Sequence, residues 1–351
     1  MARLSNLIRP RDPGPDPAAP IECRPASRAE IEKGLRLILA NVSGPASDEA
    51  VLDFLSFAVH RKIDVNAMWV AVQNERVVWA LLPMISPGRT MLLLTPGRLF
   101  RQTPRQAIRL VAEAICRAHA GKGVVLAQLL VDPHDPSLRD LYLGAGFGLL
   151  AELVYLQRNV LHAPDAPELP QGLELFAYSD QTHARFAETI EQSYLGSLDC
   201  PALNGRRQVA DVINGHKSAG IFDPSMWFLL SEHGRDHGVL LLSPSVHAGS
   251  VELVYLGLVP EARGRGLADL LMRVALSSVA NGDFTELSLA VDANNRPALS
   301  LYFRHGMKRM ASRYALVRDL EQDVPTPYDK LDVSDARDAR DARDAMTQDQ
   351  P

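Results

Sequence analysis

The chain has 351 residues, of which 46% are hydrophobic, and a formal net charge of −5 at pH 7. This length and composition suit two ordinary globular domains. The slight acidity and the lack of a basic patch with interleaved aromatic residues argue against a nucleic-acid partner, and no apolar run reaches the roughly 18 residues of a membrane span.

Three stretches are predicted to lie outside the folded parts. Residues 1–20 end in a proline-rich segment and are expected to form a disordered N-terminal tail. A second proline-rich stretch predicts a linker over residues 161–172. Residues 321–351 carry a repeated Asp-Ala-Arg triplet with no apolar face and are expected to form a disordered C-terminal tail. Two domains remain, 21–160 and 173–320.

The first half begins with a short predicted strand at Ile21–Arg24, and Ser27 and Glu30 then form a capping box for a helix. Periodicity predicts the next elements as strands near Met68–Val72, Val77–Ile85 and Met91–Leu94, followed by a helix over Pro104–Ala118. In the second half it predicts a strand at Leu173–Tyr178, a helix at Gln181–Gln192, and strands at Met226–Ser231, Gly238–Ser243 and Val251–Leu258. Each half is therefore predicted to be an α/β (α+β) domain with a mixed, mostly antiparallel sheet flanked by helices.

The most informative turn follows the last of these strands. Arg263-Gly264-Arg265-Gly266 links it to a helix that starts with Leu267 and Ala268. Glycines at a helix N-terminus expose backbone N–H groups that bind phosphate. A basic surface turn is one alternative. A dinucleotide fingerprint is another, but Asp269 stands where that motif needs a small residue.

The third interpretation of the turn is the pattern Arg-x-x-Gly-x-Ala, from Arg263 to Ala268. About thirty residues downstream, an Asn-x-x-Ala-x-x-x-Tyr pattern runs from Asn295 to Tyr302, followed by Gly306 and Met307. In this order and spacing, the two segments resemble the GCN5-related N-acetyltransferases (GNAT family), although Met307 replaces the usual Phe. The resemblance implies acetyl-coenzyme A as co-substrate, held by Leu258, Val259, Arg263, Gly264, Arg265, Gly266, Leu267, Ala268 and Asn295.

The two halves are related at an offset of 160 residues. Leu141-Tyr142 then matches Leu301-Tyr302, and Val131-Asp132 matches Val291-Asp292. This ordered set at one offset indicates an internal duplication. Opposite the glycine turn stand Thr103-Pro104-Arg105-Gln106, and opposite Glu252 stands Leu92. We therefore expect the N-terminal half to be a degenerate copy that has lost its coenzyme site.

Acyl transfer to an amine needs a proton acceptor, an oxyanion site and a proton donor. The resemblance implies that Glu252 is the general base, although it also suits a solvated position on the strand. It implies that Tyr302 is the general acid beside the coenzyme sulfur, with core packing as the alternative. Backbone N–H groups near Leu256–Leu258 are expected to polarise the thioester carbonyl, and Gly257 predicts a β-bulge there.

The acceptor site is the least determined part of the sequence. Asp199 and Asn204 lie in a predicted loop and are candidates for substrate binding, although an Asp in such a loop commonly caps it. Cys23, Cys116, Cys200 and the histidines have no metal-ligand spacing, so we expect no metal and a cytoplasmic location. Two functions follow: an acetyl-coenzyme A-dependent N-acetyltransferase acting on a small-molecule or protein amine, or a non-catalytic acyl-coenzyme A sensor.

Overall fold

A computed structural model describes residues 18–41, 44–161, 166–245, 249–282 and 284–321. The predicted tails lie almost entirely outside the described residues, as does part of the predicted linker. Within the described residues, no helix combines the length and the apolar character needed to cross a bilayer.

The N-terminal half follows the predicted order as far as α3, with one additional helix, α2, and then continues through β5, α4 and β6, for which no bounds were predicted. Its elements are β1 (Glu22–Pro25), α1 (Arg28–Ile38), α2 (Asp48–His60), β2 (Trp69–Gln73), β3 (Arg76–Ile85), β4 (Thr90–Leu94), α3 (Arg105–His119), β5 (Leu126–Val131), α4 (Pro136–Leu143) and β6 (Gly148–Asn159). The predicted capping box of α1 is present, because Ser27 N donates to Glu30 Oε2 at 2.8 Å and the Ser27 side chain accepts from the N3 backbone.

The C-terminal half repeats this order. Its elements are β7 (Leu173–Ala177), α5 (His183–Ser193), α6 (Val209–Lys217), β8 (Trp227–Glu232), β9 (Arg235–Pro244), β10 (Ser250–Leu258), α7 (Leu267–Asn281), β11 (Glu286–Asp292), α8 (Arg296–Arg304) and β12 (Lys308–Asp319). The strands β6 and β12 are each 12 residues long and lie 160 positions apart. This agrees with the offset seen in the sequence.

The twelve strands of the described residues form one sheet, in the order β1-β2-β3-β4-β5-β12-β6-β11-β10-β9-β8-β7. Each half therefore gives its last strand to the other half: β12 pairs with β5, and β6 pairs with β11. The two exchanged strands pair with each other at the centre. The α/β class with a mixed sheet flanked by helices is confirmed, while the exchange is a finding that local sequence patterns do not encode.

Apolar cores cover both faces of the sheet in each half. In the C-terminal half, one core packs α7 against β10 and β11, and the other packs α5 and α6 against β8 and β9. A smaller cluster covers the exchanged strands at the centre, where Ala151 and Ala315 meet Ala202 and Leu203 from the loop between α5 and α6. That loop therefore rests on strands from both halves.

Candidate functional site

The site begins where two parallel strands separate. The pairing of β10 with β11 is confined to Ser250–Glu252 and Glu286–Ser288. Beyond these residues, β10 continues to pair with β9 on its other side, with a register shift between Leu253 and Tyr255. The irregularity thus lies at Val254, and the predicted bulge at Gly257 was misplaced by three residues. The separation leaves an edge of β10 free to meet a ligand.

The predicted coenzyme loop lies beside this opening. Gly264 and Gly266 have φ angles of 74° and 79°, in the left-handed region that favours glycine, and an added Cβ at either would have no heavy atom within 4 Å. Gly266 is the N-cap of α7, and no side chain among the described residues caps this helix. The first N–H groups of α7 are consequently available to an anion.

The two arginines of the loop are engaged with protein groups. Arg263 donates to three backbone oxygens: Leu258 O at 3.2 Å, Gly196 O at 3.2 Å and Ser193 O at 2.8 Å. It therefore ties β10 to the end of α5. Arg265 pairs with Glu232 Oε2 at 2.6 Å. A pyrophosphate contact by either guanidinium stays a prediction, and the backbone of the loop is the better supported anion site.

A cavity of about 560 Å³ runs from this loop through the strand opening to α8. Nine of the predicted site residues line it: Asp199, Leu258, Arg263, Gly264, Gly266, Leu267, Ala268, Asn295 and Tyr302. Four others are not among the lining residues. Glu252 lies on β10 just before Leu253, Val259 is buried behind the strand, Arg265 faces Glu232, and the exposed Asn204 donates to Tyr194 O at 3.2 Å.

Two predicted residues lie on α8. Asn295 is the N-cap of this helix, and its Oδ1 accepts from Ala298 N at 3.3 Å. The Asn295 side chain thus has a structural task in addition to any contact with a pantetheine arm. Tyr302 is 7% exposed, and burial, with a contribution from the charge of Asp199, raises the pKa of its phenol. We find no hydrogen-bond partner for its hydroxyl within the described residues.

Two carboxylates lie near the opening in different surroundings. Glu252 keeps access to solvent, yet the protein around it desolvates its carboxylate and raises its pKa, an effect that Arg61, the C-cap of α2, partly opposes. Asp199 lies inside the cavity with Tyr302, and burial likewise raises its pKa. Its Oδ1 accepts from Asp292 N at 3.3 Å.

Three contacts at the site escaped the sequence analysis. The Ser193 and Tyr255 hydroxyls are hydrogen-bonded at 2.7 Å, and a Cβ on Gly257 would come within 2.7 Å of both of these oxygens. The buried carboxylate of Asp292 accepts from Cys200 N at 3.2 Å. The recurrence of Val-Asp at the end of β5 and β11 was the available signal for Asp292.

The equivalent region of the N-terminal half is filled by its own side chains. Tyr142, which corresponds to Tyr302, is buried, accepts from Trp79 Nε1 at 3.2 Å and is hydrogen-bonded to the Thr95 hydroxyl. Leu99 and Phe100 pack against the same core. Pro104 stands at the N-cap of α3, where it cannot offer an N–H.

Within the described ranges, no group of three or more His, Cys, Asp or Glu side chains has the arrangement of a metal site. The glycine turn, the cavity and Tyr302 are continuous, so that the opening reaches from the N-terminus of α7 to a buried phenol. A separated pair of parallel strands beside a helix N-terminus is the arrangement expected of a domain that binds acyl-coenzyme A.

Comparison with known proteins agrees with this class. Residues 199–307 match the model of the acetyltransferase (GNAT) family. A mycothiol acetyltransferase of Clavibacter michiganensis subsp. michiganensis is 28% identical over 189 residues, which cover 50% of this chain and 56% of that protein. The chain thus spans little more than half the length of that relative.

Solved structures share the fold. A GCN5-related N-acetyltransferase from Sphaerobacter thermophilus aligns with a TM-score of 0.59 at 18% identity, covering 87% of this chain and 97% of that one. A tandem GNAT protein from the clavulanic acid biosynthesis pathway aligns with a TM-score of 0.50 at 16% identity, covering 86% and 99%. By the family match, residues 199–307 form an acetyltransferase domain of the GNAT family, a family that uses acetyl-coenzyme A.

Proposed function

We propose that the protein transfers an acyl group from acyl-coenzyme A to an amine, with its active site in the C-terminal half. The observation that carries this proposal is the continuous cavity from the glycine turn at the start of α7 to Tyr302. A coenzyme laid along it places its diphosphate at the turn and its thioester at the opening between β10 and β11. The name shared by the curated relatives, mycothiol acetyltransferase, supports acetyl transfer. The acceptor is an amine on a small molecule or a protein.

Binding relies mainly on backbone groups. The left-handed Gly264 and Gly266 bring N–H groups to the cavity wall, and the uncapped N-terminus of α7 adds a positive dipole. The unpaired edge of β10 near Leu258 provides hydrogen-bonding groups for the pantetheine arm and for the oxyanion.

Tyr302 is proposed as the general acid. Because burial raises its pKa, the phenol stays protonated at neutral pH and is able to protonate the leaving thiolate. A carboxylate at the opening completes the proton transfers. Glu252, the sequence-based candidate, is close to the cavity without lining it.

The N-terminal half is proposed to bind no coenzyme. Its tyrosine is already hydrogen-bonded to Trp79 and Thr95, and Leu99 and Phe100 occupy the neighbouring core. These contacts support the degenerate copy predicted from the loss of both glycines.

The alternative function is a non-catalytic acyl-coenzyme A sensor. The combination of a buried phenol and a half-buried carboxylate in one cavity favours the enzyme, because acid–base catalysis needs a proton donor and a proton acceptor at the reacting groups. A sensor would bind acetyl-coenzyme A but would release no thiol with any amine.

Calorimetric titration with acetyl-coenzyme A tests the proposal. We expect one site per chain in the wild type and none in Gly266→Glu, because a side chain there strains a left-handed residue and adds negative charge at the anion site. Asp180→Asn, at an exposed turn before α5, serves as the control and should bind normally. Two sites in the wild type, or unchanged binding in Gly266→Glu, would contradict the proposal.

A further inference from the structure

We infer that Asp199, in the loop between α5 and α6, binds the ammonium group of the acceptor and takes its proton. This inference rests on the proposed function and assigns the acceptor end of the same cavity. It gives Asp199 the role that the sequence analysis expected of Glu252.

The first argument is position. Asp199 and Tyr302 both line the cavity, whereas on β10 the lining residues begin at Leu253, one position after Glu252. The charge of Asp199 also contributes to the raised pKa of Tyr302 and of Tyr255, so the carboxylate lies near both phenols. A nitrogen that attacks a thioester next to Tyr302 therefore meets Asp199 inside the cavity.

The second argument is that the Asp199 loop is held in place. Asp292, which is 2% exposed, accepts from Cys200 N at 3.2 Å and from Asn294 N at 2.8 Å. Asp292 N in turn donates to Asp199 Oδ1 at 3.3 Å. Asp199 is thus tied to the end of β11. Its other oxygen, Oδ2, has no hydrogen-bond partner within the described residues and is left for a ligand.

A carboxylate that caps its own loop would accept N–H bonds from that loop. Here the relation is reversed, because Asp199 N donates to Ser197 Oγ at 3.1 Å while the carboxylate bonds to another element. The loop also adopts an unusual backbone at Cys200, which has a φ of 45° although it is not glycine. Such strain at a fixed position is typical of a functional segment.

The third argument is charge. The groups whose charges act at or beside Asp199 include Tyr302 of α8, Tyr255 of β10, Tyr194 at the end of α5 and the buried Asp292 of β11. Arg207 also lies close enough for its positive charge to act on the neighbouring Cys200. Among the described residues, two arginines line the cavity. Arg263 donates to three backbone carbonyls, and Arg304 lies 4.0 Å from the Asp269 carboxylate. The two carboxylates, Asp199 and Asp292, favour an ammonium acceptor at this end of the cavity, an effect that the charge of Arg207 partly opposes.

Each proton released in the reaction has a defined acceptor. The ammonium R–NH₃⁺ gives one proton to the Asp199 carboxylate, and the resulting amine attacks the thioester carbonyl to form the C–N bond. As the C–S bond breaks, Tyr302 gives its phenolic proton to the departing thiolate. The second nitrogen proton restores the phenol, and Asp199 releases its proton to solvent.

Two probe nucleophiles separate deprotonation from structural damage. Propylamine is an ammonium ion at neutral pH, since alkyl amines titrate near the lysine value of about 10. Hydroxylamine is uncharged there and needs no base before it attacks. Thiol release from acetyl-coenzyme A is measured with each probe for the wild type, Asp199→Asn, Glu252→Gln and the exposed control Asp180→Asn.

We expect Asp199→Asn to lose roughly 100-fold in the propylamine reaction while the hydroxylamine reaction and acetyl-coenzyme A binding stay near wild type. An equal loss with both probes would indicate a structural role and overturn the inference. The selective loss in Glu252→Gln, with Asp199→Asn unaffected, would overturn it in favour of Glu252. Wild-type protein that binds acetyl-coenzyme A but transfers to neither probe would contradict the proposed function itself.

Discussion

The paired tyrosines provide a test in which the two halves are expected to respond in opposite ways. Tyr302 and Tyr142 occupy equivalent positions on α8 and α4, and both are buried. The Tyr142 hydroxyl is hydrogen-bonded to Trp79 and Thr95, whereas the Tyr302 hydroxyl lies at the cavity. The same change, Tyr to Phe, should therefore affect stability in one half and turnover in the other.

In Tyr142→Phe, removal of the Tyr142 hydroxyl leaves the Nε1 donor of the fully buried Trp79 without its acceptor. An unsatisfied buried donor costs about 1–3 kcal/mol of unfolding free energy. For Tyr302→Phe, little stability is lost, but the general acid is removed. We expect kcat to fall by roughly 100-fold or more, with a smaller change in KM.

Urea unfolding and thiol release measured on the same preparations check both expectations. A stable Tyr142→Phe with impaired turnover would show that the N-terminal tyrosine has kept a role in chemistry. A Tyr302→Phe variant with wild-type kcat would remove Tyr302 from the mechanism. Either result would refute the assignment of the two halves.

Two further predictions concern the capping box and the cleft. The ion pair with Arg24 is the main reason that the pKa of Glu30 falls to about 2. Its contribution to stability is fully present above the ordinary pKa near 4.5 and is lost as the pH falls through about 2. Glu30→Gln should therefore destabilise by about 0.5–1 kcal/mol at pH 7 in urea unfolding, and this difference should vanish below pH 2. In Gly257→Ala, the new Cβ would lie 2.7 Å from the Ser193 and Tyr255 hydroxyl oxygens, so their hydrogen bond must shift. We expect weaker acetyl-coenzyme A binding in calorimetry, and unchanged affinity would show that this wall of the cleft is free to move.

Much of the fold could be predicted because its elements have local signals. Strands β8, β9 and β10 follow from apolar runs, and the capping box at Ser27 and Glu30 fixes the start of α1. The exchange of β6 and β12 could not be predicted, because the two strands occupy equivalent positions in a duplicated chain. Because β6 and β12 are equivalent, each has a sequence suited to pair with either β5 or β11. Tertiary packing, and not the local sequence pattern, decides which of these pairs forms.

Some features of the candidate site could likewise be predicted from the sequence, and others could not. The sequence could bring the glycine turn and Tyr302 together because both belong to motifs with fixed spacing, and the structure places them in one cavity. The tasks of Arg263 and Asn295 were missed, since both bond to nearby backbone groups in the folded chain. The sequence could not show that Asp199 lines the cavity whereas Glu252 does not. That difference depends on the course of β10 near its register shift at Val254.

The strand exchange explains why a half without a coenzyme site would be retained. Strand β6 of the N-terminal half pairs with the whole length of β11, from Glu286 opposite Asn159 to Asp292 opposite Leu153. Asp292 is the residue that fixes the Asp199 loop, and Ala151 of β6 is part of the surface on which that loop packs. If Asp199 acts as inferred, the N-terminal half contributes to catalysis by positioning the end of β11 and supporting the acceptor loop. Loss of its coenzyme site is compatible with that task, whereas loss of its sheet is not.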